Sequence, residues 1–232
     1  MCRSICVWRV LMDDQKFILC INREYGSGGR TVGKMLAEEL GIHFYDQQIL
    51  KITSETSAVG EQFFSLADEK AGNNLLYKIF DSLKPSLAEP ELGGKITKPE
   101  NLFRFQAKMI RELADKEKCC IFAGRCADYV LQEAGVENVI SMFLYADMPT
   151  KIERMIVLDH LDAAAAERKI RQTDKDRKEY YKYYTGRDWD DCYHYDLCLD
   201  TSKLTFPQAA EIIKNYLRVK GYDLGGLKPA EG

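Results

Sequence analysis

The strongest constraint on the fold is a change of pattern between residues 16 and 41. Lys16 to Ile21, KFILCI, is a continuous apolar run rich in strand formers, as a central strand covered on both faces requires. It runs directly into NREYGSGGRTVGK, a polar stretch with four glycines. Beyond it Val32, Met35, Leu36, Ala37 and Leu40 recur at helical spacing, with Gly41 where a C-cap belongs. Strand, glycine loop and helix in that order form a reversal whose backbone N–H groups can converge on an anion at the helix N-terminus.

The general phosphate-loop pattern is G-x-x-x-x-G-K-[ST], in which lysine reaches the phosphates and the hydroxyl binds magnesium. Two registers are open. Gly28-x-x-x-x-Gly33-Lys34 keeps the spacing but puts Met35 in the hydroxyl position. The alternative keeps Gly26-Ser27-Gly28 as the turn and Thr31 as the hydroxyl, leaving Gly29 where lysine would stand and Arg30 next to it. A helix that begins near Gly29 to Thr31 carries Lys34 about one turn inward, pointing away from a ligand at its N-terminus. The helical spacing therefore favours the second register, with Lys34 a solvated helix residue.

Further along, the short strand His43 to Tyr45 ends in Asp46, and a helical stretch, Gln47 to Thr53, follows. Residues 54 to 100 are polar and interrupted by glycine and proline, which predicts short helices and a mobile excursion rather than a second domain. Helices are predicted over Leu102 to Leu113, Pro149 to His160, Asp162 to Tyr184 and Pro207 to Lys220. Strands are predicted over Cys119 to Ala123, closed by Gly124-Arg125, and over Val139 to Tyr145 and Asp196 to Leu199. Five strands alternating with helices call for an α/β fold with a parallel sheet and right-handed crossovers. We expect one domain with its core at about residues 13 to 222.

A net charge of −3 gives no basis for a general nucleic-acid or membrane-surface partner. Eight cysteines without a C-x-x-C pair, and only three histidines, argue against a zinc site. Cys20, Cys119, Cys120 and Cys198 lie in apolar runs, where a reduced thiol acts as a small hydrophobe, and this usage fits a reducing cytoplasm. Arg9 interrupts the apolar run of MCRSICVWRVLM, which makes a poor signal peptide, and no run approaches a membrane span. Met12 is a candidate native start, with residues 1 to 11 outside the core, and the tail from Gly225 reads as disordered.

Four ordered blocks carry a resemblance: REYGSGGRTVGKMLAEELGIHFYDQQIL, IFAGRCADYVL, RQTDKDRKEYYKYYTGRDW and YDLCLDTS. Over roughly residues 17 to 220 the chain resembles the cytidylate kinase-like family, a bacterial relative of the nucleoside monophosphate kinases. The resemblance implies a P-loop kinase three-layer fold with helices on both faces, an acceptor-binding excursion (54 to 100) and an arginine-bearing helical lid (about 162 to 190). It implies ATP and Mg2+ as cofactors, and a nucleotide and a small phosphate acceptor as ligands. True cytidylate kinases carry G-x-x-G-S-G-K-G-[ST]. Here Arg23 replaces the first glycine, Gly29 replaces the lysine, and Thr31 keeps the hydroxyl. Their G-R-D becomes Gly124-Arg125-Cys126, with a carboxylate only at Asp128.

The site reading that follows assigns the nucleotide phosphates to Gly26, Ser27, Gly28, Gly29, Arg30 and Thr31. Arg30 is the preferred phosphate cation because it lies inside the loop, with Arg23 as its competitor. Thr31 is placed for the metal or as an N-cap. Asp46, at a strand tip on the carboxyl edge, suits an acceptor or a magnesium-bound water, or else an N-cap. Arg125 is the substrate-side candidate, since matching arginines in the resembled kinases bind acceptor phosphate, and Asp128 would fix its fork. Arg171 and Arg177 would close over the phosphates, whereas Tyr180, Tyr181, Tyr183 and Tyr184 suit packing better than base stacking. The leading expectation is phosphoryl transfer from ATP to a nucleoside monophosphate such as CMP. The rivals are a nucleotide-binding protein without catalysis and a kinase of another small metabolite.

Overall fold

The computed structural model describes residues 16–46 and 99–225. The candidate start at Met12, the stretch 47–53, the excursion as far as residue 98 and the tail past 225 lie outside the described residues. Strand β1 (Phe17–Arg23) is followed by α1 (Gly29–Leu40), β2 (His43–Tyr45), α2 (Pro99–Lys116) and β3 (Cys119–Ala123). Then come α3 (Ala127–Glu133), β4 (Val139–Tyr145), α4 (Met148–Asp159), α5 (Ala163–Thr185), β5 (Leu197–Asp200) and α6 (Phe206–Val219).

The strands pair in the order β2-β3-β1-β4-β5, and every pairing is parallel. Strand β1 is central, and its side chains divide with the pleat. Phe17, Leu19 and Ile21 enter one core cluster with Leu36 of α1 and Ile213 of α6, while Ile18 and Cys20 enter another. That second cluster holds Ile110 of α2, Val130 of α3 and Tyr181 and Tyr184 of α5. Burial on both faces explains why the strands read as unbroken apolar runs. Each fully buried Ile or Leu contributes about 1.5–3 kcal/mol, so the clusters fix both the sheet and the helices that carry the site.

Of the α5 tyrosines, Tyr181 and Tyr184 are buried in the core, with Tyr180 and Tyr183 partly buried against it. Tyr184 stacks on Phe103 with ring centroids 4.0 Å apart, and the C-terminal half of α5 is thereby built into the core. Cys20, Cys119, Cys120 and Cys126 are buried free thiols, and burial pushes the thiols of Cys20 and Cys126 well up. Helix α3 was not anticipated. It has only seven residues and follows three consecutive left-handed residues, Gly124 (φ 75°), Arg125 (φ 62°) and Cys126 (φ 54°), a run that no local propensity suggests. Among the described residues no helix is long and apolar enough to cross a membrane.

Candidate functional site

Residues 24–28 join β1 to α1 at the carboxyl edge of the sheet, the edge at which open α/β sheets bind ligands. The turn needs positive φ at Gly26 (83°) and Gly28 (84°), and a Cβ on Gly28 would overlap the ring of Phe206. Helix α1 starts at Gly29, as its apolar spacing predicts, and Lys34 is exposed on it. Its N-cap, Gly28, offers no side-chain hydrogen bond; the Gly29 N–H reaches Ser27 Oγ at 3.4 Å, and the N–H groups of Arg30 and Thr31 are the ones left for an anion.

The loop is tied from behind by residues that the sequence reading missed. Arg154 of α4 donates to the carbonyl oxygens of Ser27 (3.0 Å), Gly26 (3.3 Å) and Thr201 (2.7 Å). The Thr201 hydroxyl donates to Ser27 O at 2.7 Å. Lys151, three residues before Arg154, donates to Glu24 Oε2 at 3.0 Å and Asp174 Oδ2 at 2.9 Å. Asp174 Oδ1 in turn accepts the Tyr25 N–H at 2.6 Å. The one sequence signal was the Lys151/Arg154 spacing, two cations about one helical turn apart, which looks like any solvated helix face.

Beside the loop lies a cavity of about 490 Å³ whose lining includes Arg23, Arg125, Arg177, Lys169, Tyr25 and Tyr180. Arg23 ends β1, Arg125 is presented by the left-handed turn after β3, and Arg177 comes from α5. Two non-glycine residues in that turn represent about 1–3 kcal/mol of strain each, which the packed surroundings hold in place. The Arg177 guanidinium donates to Arg23 O at 2.8 Å. Burial, above all, lowers the pKa of all three arginines; Arg177 and Arg125 lower that of Arg23 further, and Asp46 opposes the shift in each. Arginine remains charged even so, and these half-buried guanidinium groups, with Lys169 and against the single lining carboxylate of Asp176, make a cavity that suits an anion.

The other predicted residues are spread around the cavity and away from it. Arg30 is mostly exposed at the rim, with its Nε on Asp46 Oδ2, whereas Arg23 reaches the cavity. Asp46 itself is buried, and its Oδ1 has no hydrogen-bond partner among the described residues. Thr31 is exposed on the first turn of α1. Asp128 is buried beneath the cavity, where its Oδ2 accepts from Tyr181 OH at 2.7 Å. Burial raises its pKa against the hydrogen bonds from Tyr181 and Asn22. Arg171 is 65% exposed and paired with Glu167 at 2.7 Å on the solvent side. Six residues along a helix amount to a turn offset of about 120°, so Arg171 and Arg177 cannot share a face.

A glycine turn opening a helix at the carboxyl edge of a five-stranded parallel sheet, beside a cavity lined by arginines, defines a P-loop kinase fold. The chain belongs to the cytidylate kinase-like family, whose profile matches residues 18–203, and it is a nucleotide or small-molecule kinase. The cytidylate kinase of Methanosarcina barkeri is 26% identical over 191 residues, which cover 82% of this chain and 89% of that protein. The cytidylate kinase of Methanocaldococcus jannaschii is 28% identical over 187 residues, covering 80% and 89%. Among solved structures, an uncharacterized protein from Eubacterium ventriosum superposes with a TM-score of 0.64 at 26% identity, over 88% of this chain and 99% of that one.

Proposed function

We propose that the protein transfers the γ-phosphoryl group of ATP to the phosphate of a nucleoside monophosphate such as CMP. The observation that carries this reading is the cavity in which Arg23, Arg125 and Arg177 converge beside the glycine turn. Phosphoryl transfer asks a protein for alignment and positive charge rather than covalent chemistry, and half-buried guanidinium groups lining one cavity suit both. The names of the archaeal relatives support the choice of acceptor.

In this reading the N–H groups of Gly26 to Thr31 hold the ATP phosphates. Arg125 holds the acceptor phosphate, and Arg177 meets the charge on the group in flight. An ionised acceptor oxygen attacks the γ-phosphorus, the bond to the β–γ bridging oxygen breaks, and ADP leaves. No proton has to be removed, so no general base is needed. Among the described residues no cluster of three His, Cys, Asp or Glu could enclose a metal. Mg2+ held largely by phosphates and water needs no such cage, and the bare Oδ1 of Asp46 and the Thr31 hydroxyl are the groups that fit it. When bound, Mg2+ neutralises charge on the β- and γ-oxygens.

The test is a panel of nucleotides and small metabolites incubated with ATP and Mg2+, with products identified by mass. CMP should yield CDP and ADP, and Arg125→Ala should weaken acceptor binding while leaving ATP binding unchanged. If ATP binds but nothing in the panel is phosphorylated, the protein is a nucleotide binder and the proposal fails.

A further inference from the structure

The two departures of the loop from the phosphate-binding pattern touch each other. Counted from residue 23, the pattern G-x-x-x-x-G-K asks for glycine at 23 and lysine at 29, and the chain has Arg23 and Gly29. A Cβ built on Gly29 would lie 2.6 Å from Arg23 Cβ and 3.0 Å from its Cγ. These are stem atoms fixed to the end of β1, not the far end of a flexible chain, so a side chain at 29 and the arginine at 23 compete for one volume. From that stem the guanidinium runs on to Gly124 at the end of β3, where a Cβ would overlap its Nη1. Glycine at 29 and glycine at 124 thus leave a channel across the mouth of the loop, and Arg23 fills it. Its buried Nε has no hydrogen-bond partner among the described residues.

We propose that Arg23 takes over the phosphate-contacting role of the missing loop lysine, reaching the transferring phosphoryl group from the end of β1 across Gly29. The proposal rests on the kinase reading of the same site. A guanidinium in that place offers a planar fork to two phosphate oxygens, where an ammonium would offer a point charge. It also stands between the first turn of α1, which would hold the donor, and the cavity that would hold the acceptor. That is the path along which the phosphoryl group would pass.

The experiment compares the wild type with Arg23→Gly, Gly29→Lys, the double variant, and Arg23→Gln, which keeps the stem and loses the charge. Two readouts are used: melting temperature without ligand and Mg2+–ATP affinity by calorimetry. Gly29→Lys alone should melt well below the wild type, and adding Arg23→Gly should recover much of that loss, because the arginine's volume is then free for the lysine. Arg23→Gly and Arg23→Gln should each lose roughly ten- to hundred-fold in ATP affinity, the size of a lost charged hydrogen bond, and the double variant should regain part of it. If Arg23→Gly does not fold, Arg23→Gln carries the binding test alone. Wild-type affinity in Arg23→Gln, or a Gly29→Lys protein as stable as the wild type, overturns the proposal. A wild type that binds no Mg2+–ATP overturns the kinase reading instead, and the melting data still report whether positions 23 and 29 share one volume.

Discussion

Lys151 is the side chain whose loss the glycine loop should feel most. It is 5% exposed and stands between Glu24 Oε2 at 3.0 Å and Asp174 Oδ2 at 2.9 Å, one cation serving two carboxylates. Lys151→Met keeps the stem that packs under Gly26 and removes only the charge. Taking one partner from a buried ion pair costs about 3–5 kcal/mol. The two carboxylates are 26% and 18% exposed, so water can take up part of the loss. A destabilisation of about 2–3 kcal/mol is therefore expected. For a chain of this length that corresponds to a fall in Tm of about 4–12 °C. Asp174→Asn is the partner variant, since an amide oxygen can still accept the Tyr25 N–H. Urea unfolding of both single variants and the double variant closes the cycle, and a coupling energy of about 1 kcal/mol or more is expected for residues in direct contact. Additive losses, with a coupling under about 0.3 kcal/mol, would refute the idea that this cation ties the loop to α5.

Three further outcomes follow from the same geometry. Arg177→Ala should lower turnover roughly 10²- to 10³-fold, the effect of removing one transition-state donor, while Arg171→Ala should leave turnover alone and change stability by under about 0.5 kcal/mol; steady-state kinetics and melting separate the two. The pKa of Asp128 is raised by burial, so the folded state holds its proton more tightly than the unfolded state. Relative to Asp128→Asn, the wild type should gain stability as pH falls from above its raised folded-state pKa toward the ordinary Asp value near 4, and a difference that stays flat with pH contradicts this. Gly28→Ala should lower ATP affinity because its Cβ meets Phe206 at positive φ, whereas Lys34→Ala should not; calorimetry giving the opposite order would mean the wrong loop register.

The sheet was legible because a strand buried on both faces is apolar almost throughout, and FILCI, CCIFA and VISMFLY are so but for Ser141, whose hydroxyl is bonded to Asp196. The start of α1 was legible for a related reason: Val32, Leu36 and Leu40 mark the buried side of the helix, and Gly41 ends it. Side-chain direction was not legible. Arg30 lies inside the glycine stretch and Arg23 outside it, yet the sheet puts Arg23 over Gly29 and Gly124, and Asp46 draws Arg30 to the rim. Arg171 and Arg177 are paired by the resemblance to an arginine-bearing lid, but six residues along a helix turn them to different faces. Lys151 and Arg154 gave no sign of their role, since their loop partners lie more than a hundred residues earlier in the chain and Asp174 and Thr201 lie after them.

Since Arg23 and a side chain at 29 exclude each other, the two positions cannot change freely one at a time. A chain with arginine at 23 that first acquires lysine at 29 passes through an overfilled loop, while one that first loses the arginine passes through a glycine pair with no cation at the phosphate. The first route threatens folding and the second threatens the phosphate contact proposed for Arg23. Chains with glycine at 23 and lysine at 29 are therefore separated by a barrier in sequence space from chains with arginine at 23 and glycine at 29, and exchange between them is expected to leave few intermediates.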